Sequence, residues 1–271
     1  MGDPLYLGLK NWATPRPRLQ MTRMILTVGL VLLLSSCVPA PKPPLPLLNE
    51  QDLWQRLQAN AKAWHSLRGM TRIRTENSAG SASARQVLLL AKPDSIRAEV
   101  LSPFGQPLLL LTVQDGQLRV LLPREQRFLQ GEATPERIAR FIRLPLSAEQ
   151  MVRVALYDLP LISHEESALS RHEAGYQLLL SGADHRQRLD FDASGRPLGA
   201  SYYRGDQLLL QVAYDNFAAA LDDFPRQVTV TMPGQDASIS MTYNDVELNF
   251  QPAAESFLLQ PPAGIVVEDL P

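Results

Sequence analysis

The sequence predicts an α+β fold: one leading helix, then a long run of antiparallel strands broken once by a pair of short helices. Three observations predict it. Apolar residues recur at helical spacing behind Asn49, in Leu53, Leu57, Ala61 and Trp64. Beyond Gly69 the apolar period changes to two and stays there. Two capping signals, Thr134-Pro135 and Ser147, interrupt the strand series near its middle.

The leading helix is capped by Asn49, with Asp52 in its first turn and Trp54 widening the buried stripe. The strands then read in order. Thr71, Ile73 and Thr75 alternate with charged residues, as do Ile96, Ala98 and Val100. Leu189 and Phe191 do the same, whereas Val228, Val230 and Met232 alternate with Thr229 and Thr231, and Ile239, Met241 and Tyr243 with Ser240 and Thr242. Alternation of this kind marks strands with one covered and one wet face. Turn residues separate them: Asp115-Gly116, Asp192 to Gly195, Arg204-Gly205-Asp206 and Pro233-Gly234. Four stretches, 87–90, 108–111, 178–180 and 208–210, are apolar on both parities. They are either central strands buried on both faces or strands of a sheet curved around an apolar interior. Helices from Pro135 to Arg143 and from Ser147 to about Tyr157 can lie over one open side of such a sheet. Residues 50–262 read as one domain, and 263–271 as a loose C-terminal tail behind Pro261 and Pro262.

The N-terminal region reads as an address rather than part of the fold. Met24 to Leu34 form an uncharged run of eleven residues preceded by Arg23. That is too short to span a bilayer, which needs about 20 apolar residues, and suits the core of a signal peptide over residues 1–36. Met21 is the expected true start. The run ends in Leu34-Ser35-Ser36-Cys37, an aliphatic residue, two small residues and the only cysteine of the chain. This pattern resembles a bacterial lipobox. It implies that Cys37 carries a diacylglyceryl group and an N-acyl chain, the only covalent or bound group expected. Two or more chains give lasting attachment, at about 0.8 kcal/mol per buried methylene. Residue Val38 rather than Asp follows, which leans toward the outer membrane, facing the periplasm, over the inner membrane. Residues 37–49 carry five prolines and read as a polyproline tether reaching up to ~37 Å.

Composition excludes several classes of function. The net charge is −2, and 22 basic against 27 acidic residues remain beyond Cys37. A nucleic-acid partner is not expected, because no basic field is present. One cysteine excludes an internal disulfide framework and any multi-thiolate metal site. None of His65, His164, His172 and His185 stands at metal-ligand spacing, and the sequence holds no nucleophile elbow, Walker loop or dinucleotide fingerprint. Asp222 and Asp223 are adjacent in a turn, which does not place two carboxylates across a cleft. No catalytic residue is expected, and the protein reads as a non-enzyme.

The order of local motifs resembles the LolB-type outer-membrane lipoprotein receptors and, more distantly, the soluble LolA-type carriers. The resemblance covers roughly residues 52–250. It rests on Arg68-Gly69-Met70 after the tryptophan-bearing helix, and on Leu101-Ser102-Pro103-Phe104-Gly105 after an aliphatic strand. Leu108 to Val113, the Asp115-Gly116 turn, Leu159-Pro160, Phe224-Pro225 and Tyr243-Asn244 follow in the same order. The resemblance implies a curved antiparallel half-barrel whose concave side is covered by helices around an apolar cavity. It implies acylated lipoprotein cargo, a soluble LolA-like carrier as donor, and reception and insertion at the outer membrane without catalysis. The alternative is a structural or assembly lipoprotein that docks a protein partner on the same fold. Pro103, Phe104 and Gly105 would form a membrane-insertion loop. The cavity would be lined by Ile96, Val100, Leu109, Leu111, Val113, Leu118, Val120, Phe141, Val152 and Leu156.

Overall fold

A computed structural model describes residues 47–217 and 223–271 of the chain. The expected signal segment 1–36, the expected acylation site Cys37, most of the expected tether 37–49, and Asp222 lie outside the described residues. All described residues belong to one unit, Leu45–Pro271.

The leading helix α1 spans Glu50–Ala63. Asn49 caps it through a reciprocal box: its side chain accepts from the Asp52 amide, and Asp52 accepts from the Asn49 amide. Leu53 and Leu57 are its buried residues. Trp64 extends the helical apolar spacing but already has extended backbone.

Six strands follow: β1 (Ser66–Asn77), β2 (Gly80–Ala91), β3 (Ser95–Leu101), β4 (Pro107–Gln114), β5 (Gln117–Leu122) and β6 (Arg127–Glu132). Helices α2 (Pro135–Ile142) and α3 (Ala148–Ala155) interrupt them. Thr134 caps α2 with Pro135 in the first turn, and Arg143 ends it in the left-handed region at φ 61. Ser147 and Gln150 form the capping box of α3. The second series is β7 (Glu166–His172), β8 (Gly175–Ser181), β9 (His185–Asp192), β10 (Pro197–Arg204), β11 (Gln207–Phe217), β12 (Pro225–Met232) and β13 (Ala237–Leu248). A last strand, β14 (Val266–Asp269), closes the element order.

All fourteen strands form one sheet in the order β14-β6-β5-β4-β3-β2-β1-β13-β12-β11-β10-β9-β8-β7. Each series is therefore a meander of hairpins, and one long-range ladder, β1 on β13, joins them. This order corrects the half-barrel that the resemblance implied. The sheet is open and mixed: β7 and β14 are its two ends, and β14 runs parallel to β6 while every other ladder is antiparallel. The ends are managed individually instead of being paired to each other. Strand β7 is short and almost wholly exposed, with Glu166, Arg171 and His172 along it, a composition that blunts an edge. At the other end β14 covers β6, and Leu270 beyond it is buried.

The helix-bearing face of the sheet is the core. Leu88, Leu90, Ile96, Leu111, Val113, Leu118 and Val120 bury there from β2 to β5, and Val212, Tyr214, Val228, Val230 and Tyr243 from β11 to β13. The two-parity apolar stretches resolve differently. In 87–90 and 178–180, buried residues alternate with half-buried ones, whereas 208–210 is half-buried throughout.

Candidate functional site

The sheet face under α2 and α3 holds two apolar grooves. The first has a volume of about 320 Å³. Its floor comes from β1 to β4, β12 and β13, whose alternation turns Ile73, Leu88, Ala98, Val230, Ile239 and Met241 to one side. Its walls are Phe141 and Ile142 of α2, Leu144 and Leu146 of the link, and Met151 and Val154 of α3. The second groove is about 490 Å³. It lies over β10 to β12, against Tyr202, Leu208, Leu210 and Met232, with His185, Arg186 and Gln207 at its rim. Leu146 and Val154 line both grooves, so the α2–α3 link and α3 stand between them. Both are partly open to solvent.

Helix α3 and the segment after it are held down by tyrosines. The last carbonyls of a helix have no partner inside it. Here Tyr214 donates its hydroxyl to the Val154 carbonyl at 2.9 Å, and Tyr243 to that of Ala155 at 2.6 Å. Tyr157 and Tyr202 donate to Pro197 and Pro160, each at 2.7 Å. Burial pushes all four phenols above their ordinary range, because an ionised ring would be desolvated there. Asp158, close behind, takes Lys92 at 2.8 Å and Arg153 at 3.1 Å, and Lys92 also donates to the Ala61 carbonyl of α1. The link from Arg143 to Leu146 makes no hydrogen bond of this kind beyond the Arg143 amide to Ala139. The far side of both grooves is thus fixed, and the wall between them rests on side-chain packing.

Of the ten residues expected to line a cavity, Ile96, Val100, Leu109, Leu111 and Phe141 meet in the first groove. Val113, Leu118, Val120, Val152 and Leu156 do not: each is fully buried in solid core beside it. The split follows strand position rather than parity, since the groove spans only part of β4 and misses β5. The sequence reading missed Gln86, Met241, Leu146 and Val154. The signal for Gln86 was present: it shares a parity with Leu88 and Leu90 on β2 and so faces the same side.

Pro103, Phe104 and Gly105 form the β3–β4 turn. The Ser102 amide donates to the Gln106 carbonyl at 2.8 Å, and the Gly105 amide to the Ser102 carbonyl at 2.9 Å. The Ser102 hydroxyl accepts from the Gln106 amide at 3.1 Å. Gly105 sits at φ 80, a conformation that costs glycine little. Phe104 is 92% exposed at the tip.

Among the described residues no group of His, Cys, Asp and Glu side chains is placed to hold a metal ion. His164 stacks on Trp54 at 5.5 Å, and His172 shares a hydrogen bond with Ser170 on the edge strand. Among the described residues no helix is long and apolar enough to cross a membrane.

No family model and no curated protein matches the chain. Solved structures do. A LolA-superfamily protein from Nitrosomonas europaea superposes with a TM-score of 0.52 at 14% identity, covering 78% of this chain and 98% of that one. The chain shares the fold of that structure. A DUF1329-family protein from Desulfovibrio piger gives 0.53 at 15% identity, covering 76% and 95%. A putative outer-membrane lipoprotein-sorting protein domain from Vibrio parahaemolyticus gives 0.50 at 13% identity, covering 76% and 94%. The Arg68-Gly69 pair that carried the resemblance lies in the β1–β13 ladder, opposite Glu247 and Val246.

Proposed function

We propose that this protein is a non-catalytic lipoprotein, tethered to the outer membrane through Cys37, that docks a protein partner during lipoprotein transport or membrane assembly. The observation that carries this reading is the size of the first groove. At about 320 Å³ it stands at the lower end of ligand pockets, roughly 300–1,000 Å³. It suits a few apolar side chains of a partner better than the several acyl chains of a lipoprotein. The apolar walls and the LolA-superfamily fold support binding rather than chemistry.

One observation favours a second reading, the reception of an acyl chain. The groove lining is mostly aliphatic, and Arg143, which is exposed, is the one charged side chain among its described lining residues. Titration of the Cys37→Ala chain with an apolar peptide, acylated and not, separates the two. Docking expects both forms to bind within about threefold of each other. Reception expects the acyl group to tighten binding by ~100-fold or more, since several methylenes would be buried at about 0.8 kcal/mol each. Tightening of that size would replace the docking reading.

Phe104 serves in this proposal as the contact with the bilayer. Phe104→Glu is expected to abolish binding of the Cys37→Ala chain to anionic vesicles while leaving its melting temperature unchanged, because the ring packs on nothing. Undiminished vesicle binding would remove the turn from the mechanism.

A further inference from the structure

Among the described residues, Gln86 is the one carboxamide in the floor of the first groove. It is 5% exposed, on a central strand between β1 and β3. Its amide nitrogen meets only the Met241 thioether, at 3.7 Å, a weak acceptor. Directly across the β1–β2 ladder stands Thr71, 1% exposed. The Thr71 hydroxyl has no hydrogen-bond partner. Opposed residues on one face lie about 4.5–5.5 Å apart, so the two form a single polar spot among aliphatic neighbours. A buried polar group without a proper partner costs about 1–3 kcal/mol, and a leucine at position 86 would fill the site without that cost.

We infer that Gln86, supported by Thr71, reads a peptide bond of the groove's occupant; the inference rests on the docking reading above. The chemistry selects the occupant. A carboxamide offers both an acceptor and donors, which is the complement of a peptide unit, with its own N–H and C=O. A backbone entering an apolar groove must have both groups satisfied. An alkyl chain has neither and would leave Gln86 as it is. The occupant is therefore a short extended segment of a partner protein with aliphatic side chains, its backbone laid over Gln86 and its side chains between the β-strand floor and Phe141 or Met151.

The test uses the full chain with Cys37→Ala and two probes: the tripeptide acetyl-Leu-Val-Leu-amide and a pyrene-labelled alkane without an amide. Gln86→Met keeps the shape and removes the amide. It is expected to weaken the peptide by about tenfold and to leave the alkane unchanged. Thr71→Val is expected to weaken the peptide by a smaller factor in the same direction. Peptide affinity unchanged in Gln86→Met would overturn the inference and leave the docking reading standing. A parent chain that binds the alkane but not the peptide would overturn both the inference and docking at this groove. Circular dichroism melting of each variant shows whether a loss comes from unfolding, and the peptide-to-alkane affinity ratio reads the role of Gln86 independently of overall stability.

Discussion

At the scale of single residues, the tyrosines under α3 make the strongest commitments. Tyr243 is 1% exposed, and its hydroxyl supplies the partner of the Ala155 carbonyl. Tyr243→Phe removes the donor and leaves that carbonyl unpaired, at a cost of about 1–3 kcal/mol in urea unfolding. The same four rings set an alkaline limit. Burial raises their folded-state pKa above the ordinary value near 10. Their contribution is fully present below about pH 10 and is lost as the pH climbs from there toward the raised folded values. Stability is expected to fall with pH above about 10, and the fall should be shallower in Tyr243→Phe. A flat profile from pH 9 to 12 would contradict the desolvated environment of these phenols. Nothing in the sequence marked these residues as a group. Tyr243 was legible as a core position from β13 parity, but its bond to a helix far along the chain depends on tertiary approach.

Elements were legible where the signal is local. The caps Asn49, Thr134 and Ser147 each stand where the sequence places them, because an N-cap is settled by one side chain and the next three amides. The hairpin turns at Asp115-Gly116 and Gly205 are likewise local, with φ values of 50, 70 and 55. Strand β14 was not legible. Val266-Val267-Glu268-Asp269 is short and follows two prolines, and its partner β6 lies in the first meander. What fixes it is Leu270, 5% exposed, whose amide donates to the Gln130 carbonyl at 2.7 Å and whose side chain lies over Gly131. Arg127 meets Glu268 at 2.7 Å, but that pair is on the surface and adds little. Leu270→Ala is therefore expected to release β14 alone: amide exchange at 266–270 should accelerate by tenfold or more, with β2 and β3 unchanged. Protection that persists in the variant would show that the ion pair and ladder suffice.

For the whole molecule, the decisive contact is one seam. Neighbouring strands within each meander could be paired from the sequence, since consecutive strands joined by tight turns usually adjoin. The β1–β13 ladder could not, because its partners lie about 170 residues apart and alternation is silent about which strands meet. The same gap explains why the resemblance suggested closure where the sheet is open. At the seam, Gly69 approaches so closely that an added Cβ would lie 2.0 Å from the Asp245 carbonyl oxygen, and its φ of 154 disfavours any other residue. Gly69→Ala must therefore push the strands apart, at an expected cost of about 3 kcal/mol or more. The two meanders supply the sharper test. Cleavage in the exposed 163–165 stretch leaves one fragment ending in α3 and its following turn, and another holding β7 to β14. The β1–β13 ladder, the β14–β6 ladder and the tyrosine bonds to α3 should hold the fragments together as a stoichiometric complex on size exclusion. The same cut in the Gly69→Ala chain should yield separate, poorly structured fragments, because the ladder is where that substitution acts. Fragments that stay associated despite Gly69→Ala would mean that the helix face or the β14–β6 ladder, not the seam, unites the sheet.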